Sequence, residues 1–143
     1  MISKLNVTSI LVLNKEEALD FYVNKLGLEK GQDVKQGSYR WLTVRVPGDP
    51  GTEIQLEEPG PPVQDEATAA QLRELITKGA MGGLVFESDD VHGLYETLKA
   101  RGVTDFTQEP TERFYGTDMG IRDPFGNAIR ILQRKKVAHK ARA

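Results

Sequence analysis

The stretch Asn14-Lys15-Glu16-Glu17-Ala18-Leu19-Asp20-Phe21-Tyr22-Val23-Asn24-Lys25-Leu26-Gly27-Leu28 decides how this chain is organised. It opens on an asparagine able to cap a helix, and Glu17 sits where the second member of a capping box belongs. Ala18, Leu19, Tyr22 and Leu26 then recur at helical spacing and make one apolar stripe. Gly27 ends the helix, because glycine takes the left-handed conformation of a C-terminal cap without steric cost. Upstream, Leu5–Leu13 is rich in Val, Ile, Leu and Thr and reads as a buried strand. Downstream, Leu28–Lys35, Tyr39–Val46 and Glu53–Glu57 read as three further strands. The last two are separated by the turn Pro47-Gly48-Asp49-Pro50-Gly51.

The same order then returns. Met81–Ser88 reads as a strand, Asp89 or Asp90 can cap a helix, and Val91, Leu94, Tyr95 and Leu98 supply its stripe. Gly102 closes that helix as Gly27 closes the first. Strands follow near Asp105–Glu109, Thr117–Arg122 and Ala128–Gln133, the last introduced by the turn Asp123-Pro124-Phe125-Gly126. Gly27 matches Gly102 and Gly51 matches Gly126, an internal repeat about 75 residues long. Each half is strand, helix and three strands, so the fold class is α+β with two βαβββ modules, over 1–58 and 80–133. Residues 59–79 form a Pro- and Gly-rich linker with a helix at Asp65–Lys78, and 134–143 are a basic tail. A half of about 60 residues buries too little surface to stand alone. The modules must therefore pack, with each other or with those of a second chain, and a homodimer is expected.

Composition excludes several functions. A net charge of −2 over 143 residues is too near neutral for a nucleic-acid binder. The basic residues of the tail read as a solubilising terminus. No cysteine is present, which removes disulfides, thiolate metal sites and cysteine nucleophiles and fits a reducing, cytoplasmic setting. The apolar run near the N-terminus is too short to span a membrane, so no membrane role is expected. His92 falls on the solvent face of the second helix and His139 in the tail, neither with a partner at a useful spacing. No serine stands in a nucleophile elbow, and no glycine-rich loop precedes a helix as phosphate binding requires.

Taken together, Glu17-Ala18-Leu19-Asp20-Phe21-Tyr22 with Leu26-Gly27-Leu28, then Phe86-Glu87-Ser88-Asp89-Asp90 and Asp123-Pro124-Phe125-Gly126-Asn127, resemble the vicinal-oxygen-chelate superfamily. That superfamily includes glyoxalases, extradiol dioxygenases and bleomycin-resistance proteins. The resemblance runs from about Leu5 to Gln133 and implies two modules whose sheets curl into an open cup, with helices outside. Its chemically active members hold a divalent metal in the cup, with ligands, typically His and Glu, on the first and last strand of each module. Carried over by position, those sites fall on Val7, Gln55, Gly83 and Arg130.

Those four residues do not make a metal site. Valine and glycine side chains offer no lone pair, and Gln55 is a weak neutral donor. Arg130 brings a permanent positive charge. Two unit charges about 4 Å apart repel by roughly 4 kcal/mol at an effective dielectric near 20, and a divalent ion doubles that. No metal and no other cofactor is therefore expected.

Strand alternation places Glu53, Gln55 and Glu57 on one face, Gly83, Val85 and Glu87 on another, and Ala128, Arg130 and Leu132 on a third. Glu87 or Glu53 is expected to compensate Arg130 as an ion pair. The other arrangement is a displaced metal site using Glu53, Glu57 or Glu87, which would make the chain a lyase, isomerase or dioxygenase. The ion pair implies a binding protein instead, holding a small organic molecule and sequestering a toxic compound. Arg130 would then fork an anionic group on that molecule, Gln55 would hydrogen-bond it, and Glu87 would line the site. Trp41 and Tyr115, beside Phe114, would be stacking walls, with interior or interface packing the plain alternative for Trp41.

Overall fold

The computed structural model describes residues 1–135, which fall into two compact units. The first comprises Met1–Gly83 together with Asp123–Ala128, and the second comprises Leu84–Arg122 and the chain from Ile129. Of the basic tail, Lys136 to Ala143 lie outside the described residues, and His139 with them.

The first unit is a four-stranded mixed sheet in the order β1-β4-β3-β2. Its strands are β1 (Val7–Leu11), β2 (Glu29–Gln36), β3 (Tyr39–Arg45) and β4 (Glu53–Glu57). β1 runs parallel to β4 with Ser9 opposite Gln55, and β3 runs antiparallel to β4 with Thr43 opposite the same residue. The capping expected at Asn14 is present: its side-chain oxygen accepts the Glu17 N–H at 2.8 Å, starting α1 (Lys15–Leu19).

The helix does not continue as one α-helix, as the spacing predicts. From Asp20 to Lys25 it widens into a π-helical turn, in which the Leu26 N–H bonds back to the Phe21 carbonyl at 2.8 Å. The wider turn keeps consecutive Phe21 and Tyr22 both buried, where the α-helical stripe admits only Tyr22. α2 (Glu66–Thr77), capped by Asp65, buries Ala69 and Ile76.

The second unit repeats the pattern with strand order β5-β8-β7-β6. Here β5 (Leu84–Glu87) is parallel to β8 (Ala128–Arg134), and β6 (Phe106–Arg113) is antiparallel to β7 (Gly116–Arg122). Asp90 caps α3 (Val91–Ala100) by accepting the Gly93 N–H at 2.9 Å. Leu98, Met119, Ile121, Ile129 and Ile131 fill the interior. β6 runs four residues past the expected Glu109, carrying Pro110 through a register shift, where a missing donor is tolerated.

The Asp123 turn is a polar knot inside the first unit. Asp123 Oδ1 accepts the backbone N–H groups of Phe125, Gly126 and Asn127 at 2.9–3.0 Å. Its Oδ2 accepts the Tyr22 hydroxyl at 2.7 Å and the Asn127 amide at 2.8 Å. The Asn127 amide also donates to the Leu11 carbonyl at 2.8 Å. Five donors thus satisfy a carboxylate that is 3% exposed, which burial alone would make costly. Burial, and then the Asp123 charge, push the Tyr22 hydroxyl far above the usual tyrosine range. The two sequence signatures, Phe21-Tyr22 and Asp123 to Asn127, are therefore halves of one structural clamp.

Candidate functional site

In the first unit the polar cluster centres on Gln55, which is 8% exposed. Ser9 donates its hydroxyl to Gln55 Oε1 at 2.8 Å. Gln55 Nε2 donates to the Tyr39 hydroxyl oxygen at 2.9 Å and to the Glu57 carboxylate. Tyr39 in turn donates to Glu57 at 2.6 Å. Burial, and then this bond to Glu57, raise the Tyr39 hydroxyl to about 12.

Lys15 supplies the compensating charge, with its ammonium 3.7 Å from Glu57 and 4.9 Å from the centre of the Tyr39 ring, donating to the Arg40 carbonyl. Strand alternation brings these residues together: Ser9 lies opposite Gln55, and Glu57 and Tyr39 share its face. A cavity of about 400 Å³ adjoins the cluster, and Lys15, Tyr39, Glu57, Glu58 and Arg73 are among its lining residues. Trp41 is half-buried on β3, two residues from Tyr39 and opposite exposed Val34.

In the second unit the centre is Arg130, and its partner is not the one expected. Asp118, 5% exposed on β7, accepts Arg130 Nη2 at 2.5 Å and Nε at 3.2 Å. Tyr115 also donates its hydroxyl to Asp118, at 2.6 Å, which raises the Tyr115 hydroxyl. Burial works to raise the Asp118 carboxyl, but its bonds to Arg130 and Tyr115 outweigh this and hold it below the usual carboxylate range. Glu87 pairs instead with Arg134 at 2.5 Å, near the end of the same sheet. Glu53 is held by Gln32, Thr43 and Arg45.

The pairing of Arg130 with Asp118 has a geometric cause. A carboxylate on β7 reaches the guanidinium with two oxygens at once, whereas Glu87 stands opposite Leu132, two residues along β8. Arg130 is therefore no open fork for an anion, since two of its nitrogens are already committed to Asp118. Asp118, the partner of the fork, and Tyr39, Ser9 and Lys15, the partners around Gln55 and Glu57, were not singled out in the sequence. One signal was available: Asp118 lies one repeat after Thr43, the residue opposite Gln55.

The four positions carried over from the metal-binding pattern have distinct surroundings. A Cβ added at Gly83 would lie 1.7 Å from the Ala128 carbonyl oxygen, so a side chain there would force the backbone to shift. Val7 has no donor atom, and both hydrogens of the Gln55 amide are engaged. Among the described residues, no three His, Asp or Glu side chains come together as a ligand set. His92 is exposed on α3, as its spacing suggests.

A family model covers residues 4–131, described as the glyoxalase/bleomycin resistance protein/dioxygenase superfamily. The chain belongs to that superfamily. YurT of Bacillus subtilis (strain 168) is 38% identical over 92% of this chain and 99% of its own length. The crystal structure of UcmS2 superposes with a TM-score of 0.86 at 40% identity, covering 92% of this chain and 98% of that one. TnmS3 from Streptomyces sp. CB03234, an antibiotic-binding protein, superposes at 0.74 with 28% identity, covering 94% and 98%. Membership of the superfamily accounts for the two βαβββ modules. No helix among the described residues is long and apolar enough to cross a membrane.

Proposed function

We propose that the protein binds a small organic molecule without a metal ion and acts by sequestering it. The observation that carries this reading is the fate of the superfamily's ligand positions. Val7 cannot coordinate, Gly83 is closed by the Ala128 carbonyl, Gln55 is tied into a hydrogen-bonded cluster, and Arg130 is a cation neutralised by Asp118. A relocated metal site would need Glu53, Glu57 or Glu87, and each already serves other groups. What remains around Gln55 and around Arg130 is polar and internally hydrogen-bonded, which suits recognition. The likeness to TnmS3 supports an antibiotic as the class of molecule held.

Pairing with a second copy is part of the same proposal. Val85 is 72% exposed and Phe114 is 89% exposed, and such side chains are apolar surface that a partner would cover. Sedimentation at micromolar concentration reads this directly, with a monomer contradicting it.

The binding reading is tested by melting curves across a panel of antibiotics, each measured with and without a chelator. A ligand at about one hundred times its Kd stabilises by roughly 2.7 kcal/mol. The expected result is a rise of several degrees that the chelator leaves unchanged. A rise seen only with added metal would favour the enzyme.

A further inference from the structure

We propose that the Ser9–Gln55 pair selects for a hydrogen-bond donor on the bound molecule: a hydroxyl, an amide N–H or an ammonium group. The inference deepens the binding reading above and rests on it.

It follows from where each proton of the cluster points. A serine hydroxyl has one hydrogen and two lone pairs, and an amide side chain has two hydrogens and two lone pairs on its oxygen. The Ser9 hydrogen is used on Gln55 Oε1. Both hydrogens of the Gln55 amide are used, one on Tyr39 and one on Glu57. The Tyr39 hydrogen is used on Glu57. Every proton therefore runs inward toward the Glu57 carboxylate, whose charge Lys15 compensates. The valences left over are two lone pairs on Ser9 and one on Gln55 Oε1, and all of them accept.

The direction is fixed by Glu57. Turning the Gln55 amide over would set its carbonyl oxygen against a carboxylate that only accepts, and would leave the Ser9 hydrogen without its partner. Access is provided by Ser9, which is exposed, while Gln55 behind it is 8% exposed. Trp41 lies on β3 two residues beyond Tyr39 and, by alternation, on the same face, where it offers an aromatic wall beside the acceptors.

The test uses 2-naphthol and its methyl ether as matched probes, titrated into the full chain and followed by two-dimensional amide NMR. The two differ only in the hydrogen that the pair is inferred to read. Naphthol is expected to bind about three- to tenfold more tightly, the worth of one neutral hydrogen bond, and to shift the Ser9 and Gln55 resonances. The preference should disappear in Gln55→Met. It should shrink in Ser9→Ala, an exposed site whose replacement leaves the interior untouched.

Equal affinities, with both probes shifting Ser9 and Gln55, would overturn donor selection while leaving the binding reading in place. A preference that survives Gln55→Met would overturn it too. No shift at Ser9, Gln55 or Trp41 with either probe would remove the binding reading of this face, and the inference with it.

Discussion

Replacing Asp118 by Asn should uncover the arginine fork that this chain keeps closed. The substitution changes little in volume but removes the negative charge and turns one acceptor into a donor. Asp118 accepts Nη2 and Nε of Arg130 at 2.5 and 3.2 Å and the Tyr115 hydroxyl at 2.6 Å. A hydrogen bond to a charged group contributes about 1.5–3 kcal/mol when buried. The Arg130 side chain is 44% exposed and water can take over part of its share, which lowers the expected loss to about 1–2 kcal/mol. In a chain of this size that corresponds to a fall in Tm of roughly 3–8 °C.

The same change frees a guanidinium for a ligand. An anionic probe such as 2-naphthoate should bind the Asp118→Asn protein about tenfold more tightly than the unaltered chain, through charge-assisted bonds to Arg130. Calorimetric titration reads the affinity and a melting curve reads the stability. Adding Arg130→Met should erase the gain. If Tm and naphthoate affinity are both unchanged by Asp118→Asn, Asp118 does not hold Arg130, and the account of the second unit's site fails.

Other perturbations have equally definite outcomes. Gly83→Ala should destabilise by about 1–3 kcal/mol, because its Cβ meets backbone at 1.7 Å, and urea unfolding would show it; an unchanged midpoint would contradict the geometry. For the same reason Gly83→His should not create zinc binding, whereas tight zinc uptake would show that the strand can open. Tyr22→Phe should cost about 1.5–3 kcal/mol in urea unfolding, since it takes a buried hydrogen bond from Asp123; a neutral result would remove Tyr22 from the clamp.

Acid should weaken the protein through three carboxylates. Asp33 is held down at about 2 by its bond to Arg40, Glu53 is lowered by Gln32 and then Thr43, and Asp118 is lowered as described. Folded values below the unfolded ones give stability that is present above about pH 4 and lost as pH falls through the folded values. Urea midpoints measured from pH 6 to 2.5 should therefore drop below about pH 4.5, and a flat profile would contradict the pairing.

Much of the fold was legible because local signals and repeat agreed. Asn14, Asp65 and Asp90 cap helices where the apolar stripes begin, and all eight expected strands are present. The π-turn at Asp20 to Lys25 was not legible, since Phe21 and Tyr22 are both buried only after the backbone widens, which no residue type announces. Gln55 and Arg130, singled out in the sequence, each centre a polar cluster, and Ser9, Tyr39, Lys15 and Asp118 in those clusters were not. The family resemblance, carried over by position, pointed to Gln55 and Arg130, and strand alternation only grouped their neighbours by face. It could not choose among the carboxylates near Arg130, because the choice depends on which neighbouring strand offers two oxygens in the guanidinium plane. Tyr39 joined the Gln55 cluster for a similar reason: a long side chain reaches across from β3 to Glu57.

If the superfamily's metal positions serve recognition in this chain, the protein takes up no metal. Elemental analysis of untagged protein, purified without chelator and then incubated with zinc, nickel, manganese and iron(II) before dialysis, tests that most directly. The account predicts metal far below stoichiometric in every sample, with the Gln55 side-chain amide resonances unmoved by any diamagnetic ion. A stoichiometric metal that survives dialysis would contradict it and make a metal-dependent enzyme the leading reading.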